Sequence, residues 1–353
     1  MKDVYLKLKK QLDTISTGYP DTESKIEIEI LQKLFTEEDA KLFVELSPLP
    51  EKSLDIAKRI KRDLNDTEIH LEEMAKKGLL FRIHKNNETS YVTPPFTMGI
   101  MEFQVDRMDE EFASMTEKYF ESGFGKTLQS NPTVLKRTIQ VNNKLVLEYP
   151  IVPYNDAIQI IDKQKKIAVA DCVCRAMGKL NETGCNKPLE VCLSFGEVAE
   201  YWAESLAGRY IDKDEAKKIL KQSDEAGLVV QVSNSQAPGS MCACCSCCCI
   251  MLRSLKMQPN PAESSSSNYF AENNSEECSG CEECLERCQM EAIEIKDGKA
   301  AVIKERCIGC GLCVTTCSSE SLRLIQKQED KLYIPSATDF EMYMNIFKER
   351  CKL

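Results

Sequence analysis

The first 171 residues contain no cysteine, and the whole chain of 353 residues holds two histidines and one tryptophan. No run approaches the roughly 18 apolar residues of a membrane-spanning helix, so no span is expected. An excess of positive charge is missing as well. The net charge is −10, which argues against broad contact with nucleic-acid phosphates, since that calls for a basic face. No G-x-G-x-x-G follows a strand, so hydride chemistry on a nicotinamide or flavin would belong to a separate subunit. The stretch "SGFGKT" at 122–127 fails as a phosphate loop. Phe120 stands where that loop needs glycine, and the stretch follows a helix rather than a strand; Gly123 and Gly125 read as the end of that helix. His70 and His84 read as surface or ordinary packing residues.

What the chain has is cysteine, and all of it late. Of 19 cysteines, all but Cys351 lie between Cys172 and Cys317. A secreted disulfide protein is normally short and opens on an apolar signal segment. This sequence opens "MKDVYLKLKKQLDTI", which is charged and amphipathic. The expectation is a cytoplasmic chain in an anaerobic or strongly reducing cell, with its thiols given to metal or redox chemistry.

The fold class expected is α+β and multidomain. Residues 1–95 read as short amphipathic helices, including "ESKIEIEILQKLF" at 23–35, followed by an alternating hairpin around "KNNE". That order resembles a winged helix-turn-helix domain. Its would-be recognition helix, 66–77, carries Asp66, Glu68, Glu72 and Glu73 against Lys76 and Lys77. The acids favour docking or dimerisation over DNA binding. Residues 96–262 read as a mostly helical, cysteine-rich central domain. A helix over 99–125 has an apolar stripe of Ile100, Phe103, Met108, Phe112, Met115, Tyr119 and Phe120, suited to a core or a dimer seam. "IAVADCVC" reads as a strand or turn delivering cysteines. "GEVAEYWAESLAG" and "DKDEAKKILKQSDEAG" read as a helical hairpin, the second helix capped by Asp212 and closed by Gly227. The polar stretch "NPAESSSSN" at 260–268 reads as a linker. It leads to a two-cluster domain over 263–330 and a C-terminal tail helix over 331–353.

In that last domain the spacing C-x2-C-x2-C-x3-C occurs twice, from Cys278 to Cys288 and from Cys307 to Cys317. Over residues 276–326 this resembles bacterial-type ferredoxins with two [4Fe–4S] clusters. The resemblance implies that the fourth cysteine of each run crosses to the other cluster. One set is then Cys278, Cys281, Cys284 and Cys317, and the other Cys307, Cys310, Cys313 and Cys288. "AIEI" and "LRLI" would supply short covering strands. The proline that usually follows the fourth cysteine is Gln289 in one half and Ser318 in the other, which removes no ligand. Structural zinc on the eight thiols is the bland alternative, disfavoured by two tandem copies of this spacing.

Ten further cysteines remain. Cys172, Cys174, Cys185 and Cys192 form C-x-C-x10-C-x6-C; a [4Fe–4S] cube, a tetrahedral zinc and unligated thiols all stay open, with iron–sulfur favoured by the company of the ferredoxin motif. "MCACCSCCCI" adds Cys242, Cys244, Cys245, Cys247, Cys248 and Cys249. Neighbouring side chains diverge, so they cannot all face one cube. Two clusters with ligands exchanged between the segments, or one larger non-cubane cluster, would use them. The paired cysteines resemble CCG domains of heterodisulfide-reductase-type proteins, although no glycine follows Cys245 or Cys249. Taken whole, Asp171–Arg175, Cys185, Cys192, Cys242–Cys249 and Cys278–Cys317 resemble a group of 4Fe–4S dicluster proteins of strict anaerobes.

The function expected is iron–sulfur electron transfer, with two [4Fe–4S] clusters in the C-terminal domain and one or two further iron–sulfur clusters in the centre. The partner would be a redox protein, a flavoprotein or a larger oxidoreductase complex, docking a basic patch on the acidic ferredoxin segment; the N-terminal domain would dock or form a homodimer. Two other classes stay open. One is an oxidoreductase whose unusual central cluster reduces a small molecule, a disulfide or a corrinoid. The other is a redox-responsive winged-helix regulator.

Overall fold

The computed structural model describes residues 2–141 and 153–351, and the lead into the central region at 142–152 lies outside them. The chain opens with α1 (Lys2–Thr14), α2 (Ile26–Leu34) and α3 (Glu37–Phe43). At the start of α3 the Thr36 hydroxyl accepts from the Asp39 N–H while the Asp39 carboxylate accepts from the Thr36 N–H. This capping box satisfies two backbone donors that would otherwise lack partners. Then come β1 (Glu51–Lys52), α4 (Ser53–Ile60), α5 (Leu64–Lys76), β2 (Phe81–Lys85) and β3 (Glu88–Val92). The three strands form one sheet in the order β1–β3–β2. β2 and β3 turn back at Asn86 and Asn87, both at positive φ (54° and 61°), as a tight hairpin turn demands. His70 bonds Asp39 through Nε2 at 2.9 Å, and His84 meets Thr89, so both histidines serve local packing.

The continuous helix expected over 99–125 is broken. A π turn at Phe96–Ile100 and a 3-10 turn at Glu102–Gln104 precede α6 (Glu110–Tyr119), which Asp109 caps. Gly123, at φ +123°, then kinks the chain into α7 (Gly125–Thr127), so Gly125 is helical rather than terminal. Ile100, Phe103, Phe112, Tyr119 and Phe120 are buried within this one chain. The stripe is core.

The central region is built on a sheet, which corrects the mostly helical expectation. Its elements are β4 (Lys136–Thr138), α8 (Ala157–Lys163), β5 (Ile167–Asp171), α9 (Val173–Leu180), β6 (Glu190–Phe195) and α10 (Gly196–Ser205). They continue with β7 (Arg209–Ile211), α11 (Lys213–Glu225), β8 (Val229–Ser233), β9 (Ser235–Ala237), β10 (Ser240–Cys244) and α12 (Ile250–Lys256). Six strands pair antiparallel in the order β4–β8–β10–β6–β5–β7. Each is six residues or shorter, and cysteine, serine and glutamine within β6, β8 and β10 mask the β-branched signature of a strand. The helix periodicities between them dominate the sequence pattern. β7 also separates α10 from α11, so these do not form a helical hairpin.

The expected linker is packed. It contains α13 (Pro261–Ser264), and Ser265, Ser267 and Asn268 are buried. The Asn268 amide exchanges two hydrogen bonds with the Tyr333 backbone, at 2.9 and 2.7 Å. Polar residues read as solvated are in fact satisfied internally. The C-terminal domain follows with β11 (Tyr269–Asn273), α14 (Glu283–Arg287), β12 (Ile293–Lys296), β13 (Lys299–Val302), α15 (Leu312–Thr316) and β14 (Leu322–Gln326). "AIEI" lies in β12, paired with β13, and "LRLI" in β14, paired with β11. The tail is more than a helix: β15 (Ser336–Thr338) adds parallel to β9 before α16 (Asp339–Cys351). Arg350 then donates to the carbonyls of Thr17 and Asp13. One buried cluster runs from Tyr5 to Ile346, so the regions share a core. Among the described residues no helix is long and apolar enough to cross a membrane.

Candidate metal centres

The two ferredoxin halves repeat one backbone device. Gly280 and Glu282 (φ 73° and 65°) curl the first run; Gly309 and Gly311 (φ 64° and 82°) curl the second. Left-handed residues between the cysteines turn N–H groups and thiols toward a common centre. Cys278, Cys281, Cys284 and Cys317 line one cavity together with Ile295 and Leu322. Cys288 lies within electrostatic reach of Cys307, Cys310 and Cys313 and helps to raise all three thiols. The N–H of Ala271 lies 3.3 Å from Cys307 Sγ, and that of Ala292 lies 3.1 Å from Cys288 Sγ. Burial pushes the Cys310 thiol up to about 12. Burial also raises Cys317, but the Ser319 and Ser321 hydroxyls outweigh it and bring that thiol to about 7. Four soft sulfurs per seat, with N–H donors on Cys278, Cys288 and Cys307, fit iron–sulfur cubes.

The two seats differ in exposure. Cys281 is exposed, and Glu276, Glu277, Glu282, Glu283 and Glu286 around it are exposed too. The second seat is pressed against the central sheet. Cys310 and Leu312 close on Ile139, Leu228 and Val230, and Gln140 Nε2 donates to the Gly309 carbonyl at 2.8 Å. Gln289, standing where proline is usual, accepts from both the N–H (2.9 Å) and the hydroxyl (3.1 Å) of Ser246. Ser246 lies inside the central cysteine run, between Cys245 and Cys247.

Strand register decides where the central thiols go. Side chains alternate along β10, so Met241 and Ala243 enter the core while Cys242 and Cys244 share the opposite face. Cys192 of β6 lies directly across from Cys242. Cys172 and Cys249 occupy matching strand-to-helix junctions, capping α9 and α12. The turn between β10 and α12, closed by the Cys249 N–H on the Cys245 carbonyl at 3.1 Å, reverses the chain. It sends Cys245, Cys247 and Cys248 to one side and Cys249 to the other.

The set Cys172, Cys174, Cys185 and Cys192 is therefore divided. Cys185 joins Cys245, Cys247 and Cys248, with Sγ–Sγ separations of 3.7 Å (Cys185–Cys245), 3.7 Å (Cys247–Cys248) and 3.9 Å (Cys185–Cys248). A tetrahedral ion with metal–sulfur bonds of about 2.3 Å has S–S edges of about 3.8 Å. The match is to one ion, since a cube places irons and sulfides between its thiolates and spreads them farther. Glycine permits the approach: a Cβ on Gly184 would lie 2.6 Å from the Gly178 carbonyl carbon, and one on Gly178 would lie 3.3 Å from Cys248 Sγ. Contact from Cys248, reinforced against burial by the Arg175 guanidinium, holds the Cys245 thiol down at about 4.

Cys172, Cys174 and Cys192 instead join the other half of the run. The thiols of Cys174, Cys244, Cys242 and Cys192 are shifted by one another and by Cys172 and Cys249, which ties the six into one electrostatic group. Lys136 Nζ lies 3.0 Å from Cys242 Sγ. Lys136, Arg175, Gln289 and the Gly178–Gly184 pair are functional positions that spacing alone misses. Arg175, directly after C-x-C, and Gln289, where proline is usual, carry a local signal.

Residues 277–322 match the model of the 4Fe-4S dicluster domain family. No curated protein and no solved structure matches the chain. The chain thus carries a 4Fe-4S dicluster domain with an iron–sulfur electron-transfer role, and its central thiols could hold metal.

The Gly184→Ala variant tests the four-thiol arrangement. The added methyl would strike the Gly178 carbonyl carbon and the Lys179 nitrogen and withdraw Cys185. Elemental analysis should show a loss of about one metal ion per chain, with the ferredoxin absorption retained. Unchanged metal content would refute the assignment.

Proposed function

We propose that this chain relays low-potential electrons between a soluble redox protein and its own central cysteine domain, in a reducing cytoplasm. The observation that carries the reading is the bridge from Cys288 through Gln289 to Ser246. It joins a ligand of the inward seat to the backbone between Cys245 and Cys247. When bound, the clusters supply one-electron carriers. The chain supplies direction. The acidic surround of Cys281 offers a basic partner a docking face, and the apolar wall of Ile139, Leu228 and Val230 keeps water from the inward seat. The N-terminal region would act as a winged-helix-like docking module. Its helix order and β1–β3–β2 sheet support that reading, and the exposed Asp66, Glu68 and Glu73 on α5 disfavour phosphate as its target.

Anaerobic stopped-flow reduction by a fast one-electron donor tests the relay. In the wild type, bleaching of the ferredoxin bands should precede bleaching of the central chromophore. Gln289→Ala should leave the first phase intact and slow the second. Equal second-phase rates, or a wild-type centre that never reduces, would sink the proposal.

A further inference from the structure

We infer that Cys172, Cys174, Cys192, Cys242, Cys244 and Cys249 form a metal centre separate from the Cys185–Cys248 group, holding one polynuclear iron–sulfide cluster of more than four irons. The grouping stands on strand register, helix-cap positions and the mutual influence of the thiols, whereas the choice of iron rests on the electron-relay reading.

Four elements build the site. β6 and β10 put Cys192 opposite Cys242, with Cys244 two residues further along the same face. The first turn of α9 contributes Cys172 and Cys174, and the cap of α12 contributes Cys249. Each of the six thiols shifts, or is shifted by, another of the set, so none stands apart as a spare.

Spacing excludes the simpler metal sites. Among the described residues, the one group of three or more ligand residues whose ligand atoms all lie within 4.8 Å of one another is that of Cys185, and none of the six thiols belongs to it. A bare thiolate site, with one tetrahedral ion or with two ions sharing bridging thiolates, would draw sets of four sulfurs to about 3.8 Å. The wider spread leaves the interior to inorganic sulfide. The number of thiols excludes a single cube, which takes four and would leave two more in contact with it and unligated. Charge fits a thiolate-rich cluster as well. Lys136 Nζ sits on Cys242, and the buried Arg175 lies among Cys172, Cys244 and Cys245. Positive groups so placed offset sulfur charge without occupying a ligand position.

Iron and acid-labile sulfide counts on anaerobically purified full-length chain test the inference. The ferredoxin seats take about eight irons and the four-thiol site about one metal ion. More than about thirteen irons per chain is expected, because a single cube at the six-thiol site would give about thirteen. A count of thirteen or fewer overturns the inference. The double variant Cys192→Ser/Cys242→Ser should lose more than about four irons while keeping the ferredoxin electron paramagnetic signals. Loss of four or fewer, or of zinc instead, overturns it too. If the double variant does not fold, the wild-type count decides the matter. Failure of the relay would show in the Gln289→Ala kinetics with the iron count intact, so the two readings fail separately.

Discussion

Replacing Arg175 with methionine should unfold the central region at much lower denaturant and empty both of its thiol groups. Arg175 is fully buried. Its guanidinium donates to the Pro188 carbonyl, to the Ala243 carbonyl at 3.0 Å and to Cys245 Sγ at 3.7 Å. Burial opposes its charge, but the Cys172 and Cys245 thiolates outweigh that cost and raise its pKa. One planar cation therefore holds the segment leading into β6, the Ala243 carbonyl of β10 and the Cys245 thiol, and it offsets the charge of Cys172 in the other group. Methionine fills similar volume but donates nothing. The buried Ala243 carbonyl and the more exposed Pro188 carbonyl lose their donor, and thiolates lose their counter-charge. Removing one member of such a buried set costs about 3–5 kcal/mol, a large share of a domain's stability. Lysine should rescue only in part, since a point charge cannot serve all three acceptors in their fixed fork. Denaturant midpoint and metal content are the measurements. A methionine variant with wild-type values in both would show that Arg175 merely fills space.

Legibility followed sequence distance. The ferredoxin seats were readable because their determinants are local: each C-x2-C-x2-C run curls through its own left-handed residues. The crossing of Cys288 and Cys317 is what the resemblance implies for a repeat that spans 40 residues. The central sheet was not readable. Its strands are short, and cysteines occupy positions where valine or isoleucine would announce a strand. The partition of the ten central thiols depends on the β6–β10 register and on the close approach of Gly178 and Gly184, neither of which leaves a local pattern. The 260–268 stretch misled for a related reason. Its serines look solvated in sequence, yet Ser265 and Ser267 are buried with backbone partners at hand. Gln289 is the instructive middle case. The missing proline was visible in the sequence, but its use came into view only with Ser246 beside it.

Gly309→Ala should strip the inward seat of its cluster, and a companion variant shows why. Gly298 and Gly309 both hold positive φ, 74° and 64°, so alanine at either pays the same left-handed penalty of about 1–2 kcal/mol. Space separates them. A Cβ on Gly298 meets nothing within 4 Å, whereas one on Gly309 would lie 2.1 Å from the Tyr269 carbonyl oxygen and 2.7 Å from Ser267 Oγ. Tyr269 begins β11, and the next N–H contact along that strand, from Ala271, is the donor to Cys307 Sγ. Pushing β11 away thus removes a sulfur hydrogen bond while displacing Cys310, the residue after Gly309. The Gly309 carbonyl would also leave Gln140, loosening the seat from the central sheet. The Gly298→Ala chain should keep its full iron and lose only a little stability. The Gly309→Ala chain should lose about four irons and, with them, reduction of the central chromophore. If both variants retain the same iron, close packing of the loop on β11 is not what holds the inward seat. If both lose it, the backbone conformation alone is responsible.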